Sequence, residues 1–139
     1  MLKVLLVGHG RFPEGIKNSV EIIMGKQDNL YTINAYTKDT PFEEELNSFI
    51  RTVDLDKDKL IIVSDMFGGS VNQKTLSNVD MKKVKLITGL NLSILLEVLM
   101  LQEEDVTDEK LRSIVEETRK QIIFVNDTLK EDVEDDFDF

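Results

Sequence analysis

The chain has one histidine, His9, set between Gly8 and Gly10 directly after the apolar run Leu2 to Val7. With a reference pKa of about 6.5, an imidazole is substantially neutral near pH 7 and offers a lone pair to an electrophile. A second apolar run, Leu60 to Ser64, ends in Asp65, Met66, Phe67, Gly68, Gly69 and Ser70. A carboxylate such as Asp65, accepting the proton of one ring nitrogen, fixes the tautomer and leaves the other nitrogen as a nucleophile. The electrophile that suits these surroundings is a phosphoryl group. Gly68, Gly69 and Ser70 lead into a helical pattern whose first N–H groups have no internal partner, and glycine lets backbone come close to an anion. Ser70 has two competing tasks, capping that helix or donating its hydroxyl to a phosphoryl oxygen. A helix opening near Pro13 brings a second positive end beside His9.

Singly, these residues are ordinary: a loop histidine, a turn aspartate, tight-turn glycines, a helix cap. In combination they make His9 and Asp65 the catalytic candidates and Gly68, Gly69 and Ser70 the phosphate-binding ones. Phe12 and Phe67 flank the site, either as exposed anchors for a protein partner or as core residues. Arg11 reads as solvated surface, with a clamp on a phosphoryl oxygen or a pairing with a partner's acid as the functional alternatives.

Other phosphate chemistries fail on the spacing. The P-loop needs Gly-Lys-Ser/Thr after its spacer, whereas Gly15 is followed by Ile16 and Lys17. The dinucleotide fingerprint matches at Gly8 and Gly10 but has Pro13 at its third glycine, and the second strand run, Leu30 to Tyr36, ends in Tyr36 rather than an acid. No side chain near His9 supplies the metal sphere that a nucleoside triphosphate needs. Phosphoryl relay without metal or cofactor is the expectation.

A length of 139 residues allows one domain of ordinary size. Apolar residues at 41% can form a core, and 32% charged residues with seven Gly and two Pro exclude collagenous and low-complexity classes. Acids outnumber bases by 27 to 17, a net charge of −10 that opposes nonspecific binding to nucleic acid or anionic lipid. The lack of Cys excludes disulfides and thiolate metal sites, and a single His excludes the common zinc clusters. The run Leu2 to Val7 is too short for a signal-peptide core, and nothing approaches the roughly 20 apolar residues of a membrane span, so a cytoplasmic location is expected. Charge is unevenly placed, with six acids in residues 131–139, so that the body carries only −4. The domain is therefore read as residues 1–130 and the acidic tail as 131–139. Such a tail is expected to stay solvated, with docking through Val133, Phe137 and Phe139 as the alternative.

The elements that must position the site follow from periodicity. Leu2 to Val7, Leu60 to Ser64, Val84 to Thr88 and Gln121 to Asn126 read as buried strands, and Leu30 to Tyr36 as a more alternating one. Between them lie amphipathic helical patterns. Pro13 to Met24 places Ile16, Val20 and Ile23 inward and stops at Gly25. Phe42, Leu46, Phe49, Ile50 and Val53 share one face, behind a start in which Thr40 caps, Pro41 takes the first position and Glu43 closes a capping box. A third helix begins at Ser70, with Gln73 closing its box. Alternating strands and helices predict an α/β fold, a doubly wound parallel sheet with right-handed crossovers. In the strand order 2-1-3-4, the carboxyl ends of the first and third strands are neighbours at the switch point where such folds bind ligands.

Three motifs resemble the mannose/fructose family of enzyme IIA components of the bacterial phosphotransferase system (PTS). They are the run Leu5 to Gly15, with His9, Gly10, Phe12 and Gly15; the run Asp65 to Ser70 with Asn72; and Gly89, Asn91, Leu92, Leu95, Leu96 and Glu97. Together they span about residues 1 to 100, and the strand-end His-Gly combined with Asp-x-Phe-Gly-Gly-Ser is the specific part. The resemblance implies that Nε2 of His9 takes a phosphoryl group from the phosphocarrier HPr and passes it to a IIB component. It also implies that Asp65 orients the ring through Nδ1, that Gly68 to Ser70 cradle the phosphate, and that a membrane permease is served only indirectly. It implies a flavodoxin-like fold and a homodimer that exchanges a C-terminal strand. The run Asn91 to Leu101 is apolar nearly all round, and Ile122 to Val125 would be an exposed edge strand unless paired, both of which fit exchange; an intramolecular edge strand is the alternative. Two departures stand out: Val71 where the family often has Pro, and Ser93 where it often has Pro. A regulatory phospho-acceptor that signals by protein binding, without feeding a transporter, is the second functional reading. The transported sugar is not encoded here.

Overall fold

The apolar runs become four parallel strands in the order β2-β1-β3-β4: β1 (Leu2–His9), β2 (Leu30–Ala35), β3 (Lys59–Ser64) and β4 (Val84–Thr88). The computed structural model describes residues 1–129, and the acidic tail read at 131–139 lies outside the described residues. Helices α1 (Phe12–Met24), α2 (Phe42–Ile50), α3 (Ser70–Asn78), α4 (Leu92–Leu99), α5 (Asp108–Arg119) and α6 (Val125–Thr128) follow in chain order.

Successive strand residues point to opposite faces, and both faces of this sheet are covered, which is why β1 and β3 read as unbroken apolar runs rather than alternating ones. Leu2, Val4 and Leu6 with Ile61 and Val63 pack under Val20 of α1, Ile94, Leu95 and Val98 of α4, and Leu111 and Ile114 of α5. Leu5, Val7, Leu60 and Ile62 face the other way, onto Phe42 and Leu46 of α2 and Val71 of α3. Fully burying Phe42 or Leu46 is worth about 1.5–3 kcal/mol each. The fold is the doubly wound α/β sheet expected.

Local details depart from the sequence reading in four places. In α1 the buried stripe turns toward Val20 and Met24, leaving Ile23 exposed. Helix α2 starts one residue later than expected: Pro41 is extended (φ −58°, ψ 144°), its carbonyl accepts from Glu44 and Glu45, and neither Thr40 nor Glu43 makes a capping bond. Glu43 faces Lys74 instead, 3.3 Å away. Helix α3 starts at Ser70 as expected, but its cap is Gly69, whose carbonyl takes the N–H of Gln73 at 3.0 Å. Finally, Gln121 to Asn126 is not a strand within the single chain: Ile122 to Phe124 is irregular and α6 follows. A strand needs an edge to pair with, and Ile122, 86% exposed, has no cover from its own protomer.

Candidate active site

His9 is the last residue of β1, and Asp65 follows the last residue of β3. The two strands are adjacent, with Val7 opposite Ser64, so the register brings both side chains to the same carboxyl edge of the sheet. Oδ2 of Asp65 lies 2.6 Å from Nδ1 of His9 and also accepts the backbone N–H of His9 at 2.9 Å. Its Oδ1 takes the N–H of Met66 at 2.9 Å. Burial pushes the Asp65 carboxyl up, yet the bonds from the His9 ring and backbone and from Met66 outweigh it and hold it below its ordinary value. A carboxylate kept ionised accepts the Nδ1 proton and leaves Nε2 bearing the lone pair. The imidazole side chain is 45% exposed and that of Asp65 only 11%, so the ring faces outward and the carboxylate does not.

Gly8 makes this pairing possible. A Cβ there would stand 3.1 Å from Cβ of Asp65, 3.2 Å from Cγ of Pro13 and 3.3 Å from Cγ of Asp65, tighter than side chains ordinarily pack. Gly10, with φ of 60°, turns the chain from β1 into α1 in a conformation that glycine adopts freely. Its N–H still bonds the carbonyl of Ala35 at 2.9 Å, tying the loop to the end of β2.

The loop after β3 closes the other side. Gly68 has φ of 77°, and with no side-chain cap on α3 the N–H groups of its first turn stay open toward the site. Ser70, given two candidate tasks by the sequence, does not cap α3. Its hydroxyl is 3.3 Å from Nε2 of His9 and 2.8 Å from the hydroxyl of Tyr36. Helix α1 also begins beside His9, but Pro13 has no N–H and the N–H of Glu14 goes to Oδ1 of Asn34 at 3.3 Å, so α1 contributes its dipole rather than open donors. Beneath the loop, Oγ of buried Ser64 is 2.7 Å from Oδ1 of Asn72 and 2.8 Å from Oγ1 of Thr88, which pins the first turn of α3 to the ends of β3 and β4.

Phe67 is 81% exposed and Phe12 half-exposed, so both lie at the surface beside His9 rather than in the core. Arg11 is solvated and its guanidinium sits on Glu14 of the same chain at 3.0 Å, not toward Nε2. Among the described residues no group of three or more His, Cys, Asp or Glu is placed to hold a metal ion. A broad polar groove bounded by Arg11, Glu14, Lys17, Asn34 and Ser48 runs beside His9 without including it.

Sequence reasoning passed over Tyr36 and Lys74. Tyr36 directly follows β2, the strand adjacent to β1, and its ring centroid lies 5.4 Å from that of His9. Lys74 stands 3.4 Å from its hydroxyl and 5.2 Å from its ring centroid. The available signals were positional: Tyr36 closes a strand next to the switch point, and Lys74 lies four residues after Ser70 on the same helical face.

A model of the family described as PTS system fructose IIA component matches residues 3–115. The fructose-specific EIIA component of Bacillus subtilis is 30% identical over 106 residues, covering 74% of this chain and 72% of that protein. The mannose-specific EIIAB component of Escherichia coli is 24% identical over 122 residues, which take in 86% of this chain but only 38% of that longer protein. A crystal structure from Klebsiella pneumoniae, described as a phosphoenolpyruvate-dependent sugar phosphotransferase system permease, superposes with a TM-score of 0.84 at 28% identity, covering 92% of this chain and 93% of that one. No helix among the described residues is long and apolar enough to cross a membrane. A strand-edge imidazole held by a neighbouring carboxylate beside the open start of α3 thus sits inside a family match spanning most of the chain, and the chain belongs to the mannose/fructose IIA family of the sugar phosphotransferase system.

Proposed function

We propose that the protein is a phosphocarrier whose His9 accepts a phosphoryl group on Nε2 from phospho-HPr and hands it to a IIB component. The observation that carries this reading is the 2.6 Å contact between Asp65 and Nδ1, which leaves Nε2 as the free nucleophile. In the transfer, Nε2 bonds to phosphorus as the donor's P–N bond breaks, and the electron pair of that bond stays on the donor imidazole. His9 keeps its Nδ1 proton throughout, so its ring becomes cationic and the Asp65 carboxylate offsets the new charge. The oxygens of the phosphoryl group meet the hydroxyl of Ser70 and the open N–H groups at the start of α3. The exposure of the imidazole, with Phe12 and Phe67 beside it, suits donors and acceptors that are themselves proteins.

We further propose a homodimer in which residues 121–126 of one protomer pair with the edge of β4 in the other. Strand β4 is an edge of the sheet, and an apolar groove formed by Leu86, Ile87, Leu111 and Val115 runs along it. Ile122, Ile123, Phe124 and Val125 are exposed in the single chain.

Incubation with HPr and its phosphorylating enzyme, followed by mass spectrometry that preserves acid-labile phosphate, is the direct test. Label on Nε2 of His9 that discharges to a IIB component is the expected result. An unlabelled wild-type protein overturns the reading, and label that never discharges moves the protein to a signalling role.

A further inference from the structure

We propose that Tyr36 and Lys74 are positioning residues for the phosphohistidine, acting through Ser70 as a one-way chain of hydrogen-bond donors aimed at Nε2; this rests on the reading of His9 as the phosphoryl acceptor. The direction of the chain is fixed by its two ends. Asp65, ionised, can only accept, so in the neutral imidazole, the form with a lone pair to attack, the ring proton goes to Oδ2 and Nε2 can only accept. Ser70, 3.3 Å from Nε2, must therefore donate there. Its one proton is then used, so across the 2.8 Å contact with Tyr36 it must accept and the phenol must donate. The phenol oxygen in turn accepts from Lys74, whose ammonium has three donors and no acceptor, across 3.4 Å. Lys74 is held in this place by Glu43 at 3.3 Å, and its contacts with Tyr36 and Glu43 favour its charged form.

A second observation singles out Tyr36. It is the one non-glycine residue with positive φ among the described residues, at 67°, and it is half-exposed, so core packing does not demand the conformation. A bulky residue in the left-handed region costs on the order of 1 kcal/mol, and such costs concentrate where a side chain must be aimed. Here the backbone turn aims the phenol across His9 at Ser70.

When Nε2 becomes bonded to phosphorus, its lone pair is gone and the Ser70 proton passes to a phosphoryl oxygen. Tyr36 continues to occupy the acceptor side of Ser70, so the hydroxyl keeps its proton directed at the phosphoryl group instead of rotating to solvent. Lys74 adds a cation one link further out, a long contact that screens the phosphoryl charge without bonding to it.

The experiment loads the full-length chain from a defined pool of phospho-HPr and measures two quantities, the equilibrium share of phosphoryl on His9 and the lifetime of the phosphohistidine in the absence of partners. Tyr36→Phe keeps the ring and deletes the donor. It should shift the equilibrium toward HPr and shorten the lifetime by roughly threefold to tenfold, the worth of one hydrogen bond. Lys74→Gln should act in the same direction, less strongly and with less dependence on salt than the wild type. Because Tyr36 works through Ser70, the double variant Tyr36→Phe, Ser70→Ala should be no worse than Ser70→Ala alone, and multiplicative losses would overturn the chain. Wild-type values for both Tyr36→Phe and Lys74→Gln, on a protein whose His9 is labelled, would overturn this inference while leaving the phosphocarrier reading intact. An unlabelled wild type would instead remove that reading and this inference with it. Urea midpoints of the variants, expected near the wild-type value, separate these effects from loss of fold.

Discussion

A single oxygen of Asp65, Oδ2, takes both the ring Nδ1–H and the backbone N–H of His9, at 2.6 and 2.9 Å. The carboxylate thereby fixes the ring and the end of the strand that carries it together, so the direction of Nε2 is tied to the carboxyl edge of the sheet.

Asp65→Asn should separate orientation from burial. Both carboxylate oxygens face N–H donors, Oδ2 toward His9 and Oδ1 toward Met66, so an amide NH2 must meet at least one of them head-on. Turned toward His9, it forces the proton onto Nε2 and removes the lone pair. Phosphoryl acceptance should fall by about 10²-fold or more, as when a wrong tautomer is imposed on a catalytic histidine. Stability should fall by about 1–3 kcal/mol, the cost of an unmade buried hydrogen bond. Initial rates of labelling and a urea titration measure the two losses, and a variant that labels at the wild-type rate contradicts the orienting role.

The same carboxylate predicts a pH signature. Its folded-state pKa lies below the ordinary 3.8, since the hydrogen bonds of His9 and Met66 outweigh the opposing effect of burial. A lowered pKa means that the unfolded chain binds the proton more readily than the folded one. The stabilisation is therefore fully present above the ordinary carboxylate range and is lost as the pH falls through it toward the folded value. The stability gap between wild type and Asp65→Asn should be widest near neutrality and narrow as the pH falls through the ordinary carboxylate range. Urea midpoints at a series of pH values read it directly, and curves that stay parallel would show that Asp65 is not the titrating group.

Gly8→Ala should damage the site through space alone. The added methyl would come within 3.1 Å of Cβ of Asp65 and 3.2 Å of Cγ of Pro13, so either the carboxylate leaves His9 or the start of α1 shifts. Overpacking of this kind costs about 1–3 kcal/mol. Labelling of His9 should slow even at temperatures where the variant is fully folded, whereas Leu46→Val, a trimming of the remote core, should lower the melting temperature with little effect on the rate.

The proposed dimer is tested by Ile122→Asp with Phe124→Asp. Both side chains are exposed in the single chain, so the substitutions cost an isolated protomer little. In an exchanged dimer they would bury two carboxylates without partners. Sedimentation should show a dimer for the wild type and a monomer for the variant. A monomeric wild type would remove the exchange, and a dimeric variant would move the interface elsewhere.

Much of this was legible in the sequence, because the readable parts are local or follow from the sheet's order. Leu2 to Val7 and Leu60 to Ser64 announce themselves as strands covered on both faces, and the 2-1-3-4 order then makes neighbours of His9 and Asp65. What was misread depended on competition or on missing partners. The capping boxes at Thr40 and Ser70 failed because Pro41 stays extended and Ser70 spends its hydroxyl on His9 and Tyr36, a choice no local pattern records. Gln121 to Asn126 has the composition of a strand, but pairing is a property of two segments, and within its own chain it pairs with neither edge strand, β2 or β4. Tyr36 went unnoticed because its role is tertiary: it depends on a positive φ and on a helix that begins 34 residues later at Ser70.

Asn72 gives the last test, because it links the fold to the loop between β3 and α3. Its side chain is buried, and its Oδ1 lies 2.7 Å from Oγ of Ser64, which also contacts Thr88. That contact joins the first turn of α3 to the ends of β3 and β4, and Ser70 is two residues away on the same turn. Asn72→Leu would keep the bulk but strand the Ser64 and Thr88 hydroxyls against apolar surface, at a cost of about 1–3 kcal/mol. The same substitution loosens the anchor that holds Ser70 against Nε2, so the phosphohistidine lifetime should shorten together with the loss of stability. Adding Ser64→Ala and Thr88→Val to Asn72→Leu removes the stranded hydroxyls and should recover most of the stability, since an apolar replacement of the whole network leaves nothing unpaired. The lifetime should not recover with it, because the directional tie between α3 and the strand ends is still missing. Recovery of both together would show that the network serves packing alone.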